Sequence, residues 1–225
     1  MSLQQRDQVT SIYYPESDGE PMAETDVHRR MFVYFTTALE NFFRDEPNIY
    51  ISGDLLLYYA EGDPKKRVVP DVFVVRGVPE GNRRIYKLWE EGHPPNVVFE
   101  FSSRQTWRED LHVKWRLYEQ LGVKEYFIFD PEYDYLVEPL VAYRLEDGQY
   151  APLEIQDGRV RSEALGLDVV DTGETLRLFD PQAGKFLPTP AEEAEALRQA
   201  RLEAARLRQE LEQLKQSASP EKLIE

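Results

Sequence analysis

Apolar positions along this chain fall into helical and strand-like periods that predict its elements in order. From Thr25 or Asp26, either of which can cap a helix, Met31, Phe32, Phe35, Leu39 and Phe42 recur at helical spacing to about Phe43. His28 lies at the N-terminal end of the same stripe. Residues 49–60 (IYISGDLLLYYA), 68–75 (VVPDVFVV), 96–103 (NVVFEFSS) and 124–130 (KEYFIFD) are rich in β-formers and predict strands, the last two deeply buried. Residues 76–95 predict a long connection with a short helix around Arg84–Glu90, and 109–121 a helix ended by Gly122 at C′. The order helix, strand, strand, strand, helix, strand is an α/β layout, an α+β fold with a mixed sheet. Residues 132–188 alternate short β-like runs with the turns EDGQ, QDGR and DTGE, which predicts a β meander of hairpins.

The ends differ in character. Residues 1–24 are polar, turn-rich and read as a loop segment preceding one domain at 25–188. Residues 190–216 predict an amphipathic tail helix started by Pro190, and 217–225 a frayed end. Leu197, Ala200, Ala204, Leu207, Leu211 and Leu214 follow the 3–4 spacing of a coiled-coil seam. That helix reads either as a homodimer contact or as a solvated helix lying on its own domain.

Composition narrows the function classes. With 225 residues, 41% of them hydrophobic, the chain can build one sizeable core. It has no cysteine, so disulfides and thiolate metal sites are excluded, and no apolar run reaches the roughly 18 residues of a membrane helix. A cytoplasmic protein is the expectation. The net charge of −15 runs against a broadly basic nucleic-acid surface, and the near-balanced tail does not account for it. Any phosphate contact must therefore be local or bridged by a divalent cation. Local bases exist at Lys65, Lys66, Arg67, Arg83, Arg84, Arg104 and Arg108.

Candidate chemistry sits where charge interrupts the apolar pattern. Glu100 stands inside VVFEF, where an ionised carboxylate is costly unless paired with a base or ligating a metal. Asp71 shares a strand face with Phe73 and Val75; alone, it would simply begin a strand. On a regular helix Asp110 and Lys114 fall on the apolar stripe with Leu117 and Leu121, beside Leu111, Val113 and Tyr118, leaving His112, Arg116 and Glu119 exposed. Two carboxylates and an amine suit phosphodiester hydrolysis, with Asp71 and Glu100 holding Mg²⁺ or Mn²⁺ through oxygen ligands and the Phe101 backbone carbonyl as a further ligand. Lys114 would orient the attacking water or stabilise the transition state. Asp54 reads equally as a third acid near the metal or as a strand-end acceptor, and His28 as a helix-end core histidine.

At these residues the chain resembles a known family. PDVFVV, then VVFEFSS, then Asp110, Lys114 and Tyr118 in a D-x-x-x-K-x-x-x-Y run before GVKEYFIFDP, is similar to the Uma-two family of the PD-(D/E)XK, restriction-endonuclease-like superfamily, over about residues 20–180. The resemblance implies a mixed sheet flanked by helices, a divalent metal and DNA endonuclease activity. It also places Glu24 and His28 of GEPMAETDVH near the site; of the local bases, Arg83, Arg84, Arg104 and Arg108 are the candidate DNA contacts. One departure stands out: the lysine expected two residues after the glutamate is Ser102. Lys114 can supply the amine from the next helix, whereas a lost lysine would leave a catalytically inactive module that binds nucleic acid or protein partners.

Overall fold

The structure, a computed structural model, describes residues 12–17, 19 and 25–218. Most of the expected 1–24 loop segment and all but two residues of the expected frayed end fall outside these. Contacts divide the chain into two units, Met1–Leu187 and Pro188–Glu225.

The first unit is built on a mixed six-stranded sheet. Its spatial order is β1 (Ile49–Ser52), β4 (Val72–Arg76), β6 (Val97–Phe101), β7 (Glu125–Phe129), β8 (Leu140–Glu146) and β9 (Gln149–Pro152). Only β6 and β7 run parallel. A parallel neighbour requires a crossover, and the helical segment 107–121 supplies it. Every residue of β6 and β7 is buried, Glu100 and Glu125 included, as their otherwise apolar runs require of strands covered on both faces.

Alternation sorts the two faces. Val97, Phe99, Phe101, Val72 and Val74 pack with Met31, Phe35 and Leu39 of α1 (Asp26–Phe42) and with Val169 and Leu178 of a four-stranded sheet of β10 (Arg159–Ser162), β11 (Leu167–Asp171), β12 (Leu176–Asp180) and β13 (Lys185–Phe186). Val98, Phe73 and Val75 face the other way, onto Tyr118 and the small sheet of β3 (Arg67–Val68), β2 (Leu57–Tyr58) and β5 (Tyr86–Lys87). Glu100 has the parity of Val98 and therefore points towards the crossover helix. Thr25 caps α1, its hydroxyl accepting the His28 N–H at 3.2 Å, as its position before the apolar stripe suggests.

Four expectations change in detail. The run 68–75 is divided between β3 of the small sheet and β4 of the main sheet, with residues 69–71 between them. The run 49–60 is two strands in two sheets, because the chain turns at Gly53 and Asp54 (φ 51°), and the Asp54 N–H donates to the Pro70 carbonyl at 2.9 Å. The short helix of the 76–95 connection is α2 (Leu88–Glu91), set after β5. The residues of the expected meander divide, with β8–β9 extending the main sheet and β10–β13 forming their own. The DG signals act as expected: Asp147 and Gly148 (φ 50° and 83°) close the β8–β9 hairpin with both central residues left-handed.

In the second unit, α5 (Pro190–Ala218) opens with a capping box. The Glu192 N–H donates to the Thr189 hydroxyl, and the Thr189 N–H donates to the Glu192 carboxylate. Among the described residues no helix is long and apolar enough to cross a membrane.

Gly53 positions the site from a distance. A Cβ there would lie 1.9 Å from the Asp71 carbonyl oxygen and 2.8 Å from the Phe32 ring, so only glycine lets the end of β1 lie against Asp71. Gly53→Ala is expected to lower stability by about 1–3 kcal/mol through backbone displacement, read by urea unfolding. Wild-type stability would show that the contact can relax.

Candidate active site

Asp71 stands where β4 separates from β6. Its register partner would be Glu100, since Val72 pairs with Phe99. Instead of extending the ladder, Asp71 Oδ2 accepts the Phe101 N–H at 2.6 Å, and it lies 3.1 Å from His28 Nε2. The histidine ring also meets the Phe101 ring edge-on. One carboxylate oxygen thus joins α1, β4 and β6, while Oδ1 accepts no hydrogen bond from the described residues.

Glu100 is 1% exposed. Lys114 Nζ donates to its Oε2 at 2.8 Å and the Tyr118 hydroxyl to its Oε1 at 2.7 Å. Donors on both oxygens suit the ionised carboxylate. Burial pushes this carboxyl well above its ordinary range; Lys114 opposes that shift, and Asp71 and Asp110 add to it. Burial pulls Lys114 the other way, but the carboxylates of Glu100, Asp110 and Asp71 outweigh it, so the amine is held protonated beyond its usual range.

The helix that carries Lys114 is not uniform. Trp107–Glu109 (α3) and Trp115–Leu121 (α4) flank a π-helical turn, Asp110–Lys114. The wider turn shifts the phase of the residues C-terminal to it. Val113, beside the stripe on a regular helix, is 62% exposed, whereas Tyr118 is fully buried and reaches Glu100. Glu119, expected on the exposed face, is half-buried and accepts the Tyr150 N–H. Within the turn Asp110 Oδ1 lies 3.1 Å from Lys114 Nζ, and its Oδ2 accepts the Ser102 hydroxyl at 2.9 Å. Ser102, in the position where a lysine was expected, thereby fixes the acid that fixes Lys114.

Asp71, Glu100, Ser102 and Lys114 border one cavity of about 330 Å³, lined among others by Thr25, His28, Phe101 and Arg104, with Asp110 and Tyr118 supporting it from behind. Pro131, Glu132 and Tyr135 form part of its wall. The buried Asp130 shapes that wall by accepting the N–H groups of Glu132, Tyr135 and Leu136. Neither Asp130 nor Gly53 was singled out from the sequence. The Asp–Pro pair at a strand end was the available signal for the former; nothing local marks the latter.

The structure does not gather every candidate. Asp54 is exposed and lines no part of this cavity. Arg83 borders a larger groove of about 1050 Å³ that holds none of the proposed ligands; it donates to Glu91 and to the Pro79 and Gly81 carbonyls and stacks on Tyr50. Arg84 pairs with Glu16. Arg104 lines the cavity, and Arg108 stacks on Trp107 at the start of the helix. Glu24 lies outside the described residues.

Comparison with known proteins completes the picture. The family profile Uma2, described as "Putative restriction endonuclease", matches residues 3–172. The chain belongs to the Uma2 family. A solved structure titled as "a putative nuclease belonging to DUF820" from Anabaena variabilis is similar at a TM-score of 0.48 and 14% identity, covering 64% of this chain and 76% of that one. Comparison with curated proteins gives no match.

Divalent-metal chemistry, general in restriction-endonuclease-like families, can be tested against the donors present. Among the described residues no three His, Asp or Glu side chains already converge as a metal cluster. The chemistry nevertheless fits: all donors are oxygens, Asp71 Oδ1 is open, and Glu100 keeps lone pairs beyond those used by Lys114 and Tyr118. Three carboxylates face one ammonium, a surplus of negative charge that a divalent cation would offset.

Lys114→Met strands Glu100 and Asp110 without their cation and is expected to cost about 3–5 kcal/mol near pH 8. A carboxyl whose folded pKa rises loses stability as pH climbs through that value, so the deficit should shrink towards pH 5 as a stranded carboxyl takes a proton. Urea unfolding at both pH values checks this; a pH-independent deficit would contradict it.

Proposed function

We propose that this Uma2 member is a metal-dependent endonuclease hydrolysing phosphodiester bonds in DNA at the Asp71–Glu100–Lys114 cavity. The observation that carries the reading is the lysine: Lys114 reaches Glu100 from the following helix although Ser102 occupies the expected position. Asp71, Glu100 and the Phe101 carbonyl would hold Mg²⁺ or Mn²⁺. The ion, when bound, would acidify a water molecule and offset charge on the phosphoryl oxygens.

The chain's own groups have separable tasks. Lys114 is held protonated, so it acts as a fixed positive charge rather than as a base. It donates to Glu100 and lies in ion-pair contact with Asp110, which leaves donor capacity for a phosphoryl oxygen or the attacking water. Tyr118, Asp110 and Ser102 hold Glu100 and Lys114 in place, and His28 orients Asp71. Arg104, at the rim, is suited to contact a backbone phosphate. The cytoplasm is the proposed location.

A second reading, a non-catalytic module of the same fold, draws on the ready-made Glu100–Lys114 ion pair and the charge of −15. Nicking of supercoiled plasmid separates the two. Cleavage should require Mg²⁺ or Mn²⁺ and be abolished by Asp71→Asn and by Glu100→Gln. Wild-type rates in both variants, or an inert wild-type protein, would reject the nuclease. In the same assay Lys114→Met should lower kcat about a hundredfold or more while Mn²⁺ affinity stays within a few-fold. Loss of Mn²⁺ binding in a folded Lys114→Met protein would instead give the lysine a role in assembling the metal site.

A further inference from the structure

The tail helix α5 carries an apolar seam that the nuclease reading does not use. Leu197, Leu207, Leu211 and Leu214 are 52–65% exposed along it, with Ala200 and Ala204 completing the a/d spacing. Leu202 is exposed on the opposite face and lies outside the pattern. Exposure alone does not say what covers the seam; the flanking charges do.

With Leu197 and Leu211 at a and Leu207 and Leu214 at d, the g positions are Glu203 and Glu210 and the e positions are Arg201, Arg208 and Lys215. In a parallel two-stranded coil each g residue faces the e residue five positions further along the partner helix. Glu203 would then meet Arg208, and Glu210 would meet Lys215, each twice by symmetry. An antiparallel pair would set glutamate against glutamate and base against base. Glu210 already pairs with Arg206 within its own helix, but an exposed pair of that kind is weak enough to be exchanged.

We infer that α5 self-associates as a parallel, in-register two-stranded coiled coil with a second copy of this chain. The charges choose both the partner and its direction. This inference stands independently of the nuclease proposal, because its readout is association state and not cleavage.

Sedimentation equilibrium of the full chain should give a dimer. Glu203→Arg with Glu210→Arg places like charges at both charged g–e pairs and should weaken association about tenfold or more. Adding Arg208→Glu and Lys215→Glu to that variant restores complementarity and should restore the dimer, which separates a charge effect from loss of the helix. The chain has no cysteine, so Ala200→Cys gives a clean test of direction. At d, two such residues face each other only in the parallel register and should form a disulfide-linked dimer under copper phenanthroline. A monomeric wild-type chain, a dimer indifferent to the double reversal, a fourfold variant that stays monomeric, or a dimer in which Ala200→Cys does not cross-link would each overturn the inference.

Discussion

The Glu100 carboxylate sits in a fully buried strand, and much of the site depends on what that charge requires. An ionised group in such a place must be met by charge and by hydrogen bonds, or it takes up a proton. Here the requirement is met from one direction, by Lys114 and Tyr118 on the helix that crosses from β6 to β7. The parallel pairing of those strands forces a crossover, and the crossover delivers an amine and a phenol to the carboxylate. The fold and the charge thus depend on the same segment.

A second buried glutamate shows why position along the sheet matters. Glu125, at the start of the neighbouring strand, is as deeply buried as Glu100. It is satisfied by Arg144, the Ser162 hydroxyl and the Glu163 N–H, an arrangement that ties β7 and β8 to the four-stranded sheet. Glu100 instead borders a cavity shared with Asp71 and keeps a protonated amine, Lys114, at its side. Both carboxylates lie in apolar runs, but Glu100 has an open space in front of it and a second acid on the border of that space.

Much of this was legible in the sequence. Glu100 was conspicuous because a charge interrupts VVFEF, and helical period alone placed Lys114 and Asp110 on the buried stripe. Paired left-handed turn residues marked the β8–β9 hairpin. The remainder was hidden for identifiable reasons. The π turn departs from a regular helix, so Val113, placed beside the stripe, is exposed and Glu119, placed on the outer face, is half-buried; periodicity assumes a uniform helix. The run 49–60 looked continuous because the break at Gly53 is set by a close approach to Asp71, a contact distant in sequence. Arg83 looked like a phosphate contact, yet Glu91 engages its guanidinium, because local charge counting does not see tertiary pairing.

As proposed, Asp71 and Glu100 would form an oxygen-rich site for a divalent cation, with Lys114 fixed beside it. Isothermal titration of Mn²⁺ into the wild-type chain and into folded Asp71→Asn and Glu100→Gln proteins tests this most directly. A single saturable site is expected in the wild-type protein, with a loss of affinity of about tenfold or more in each variant. Equal binding by all three, or no binding by the wild-type chain, would contradict it.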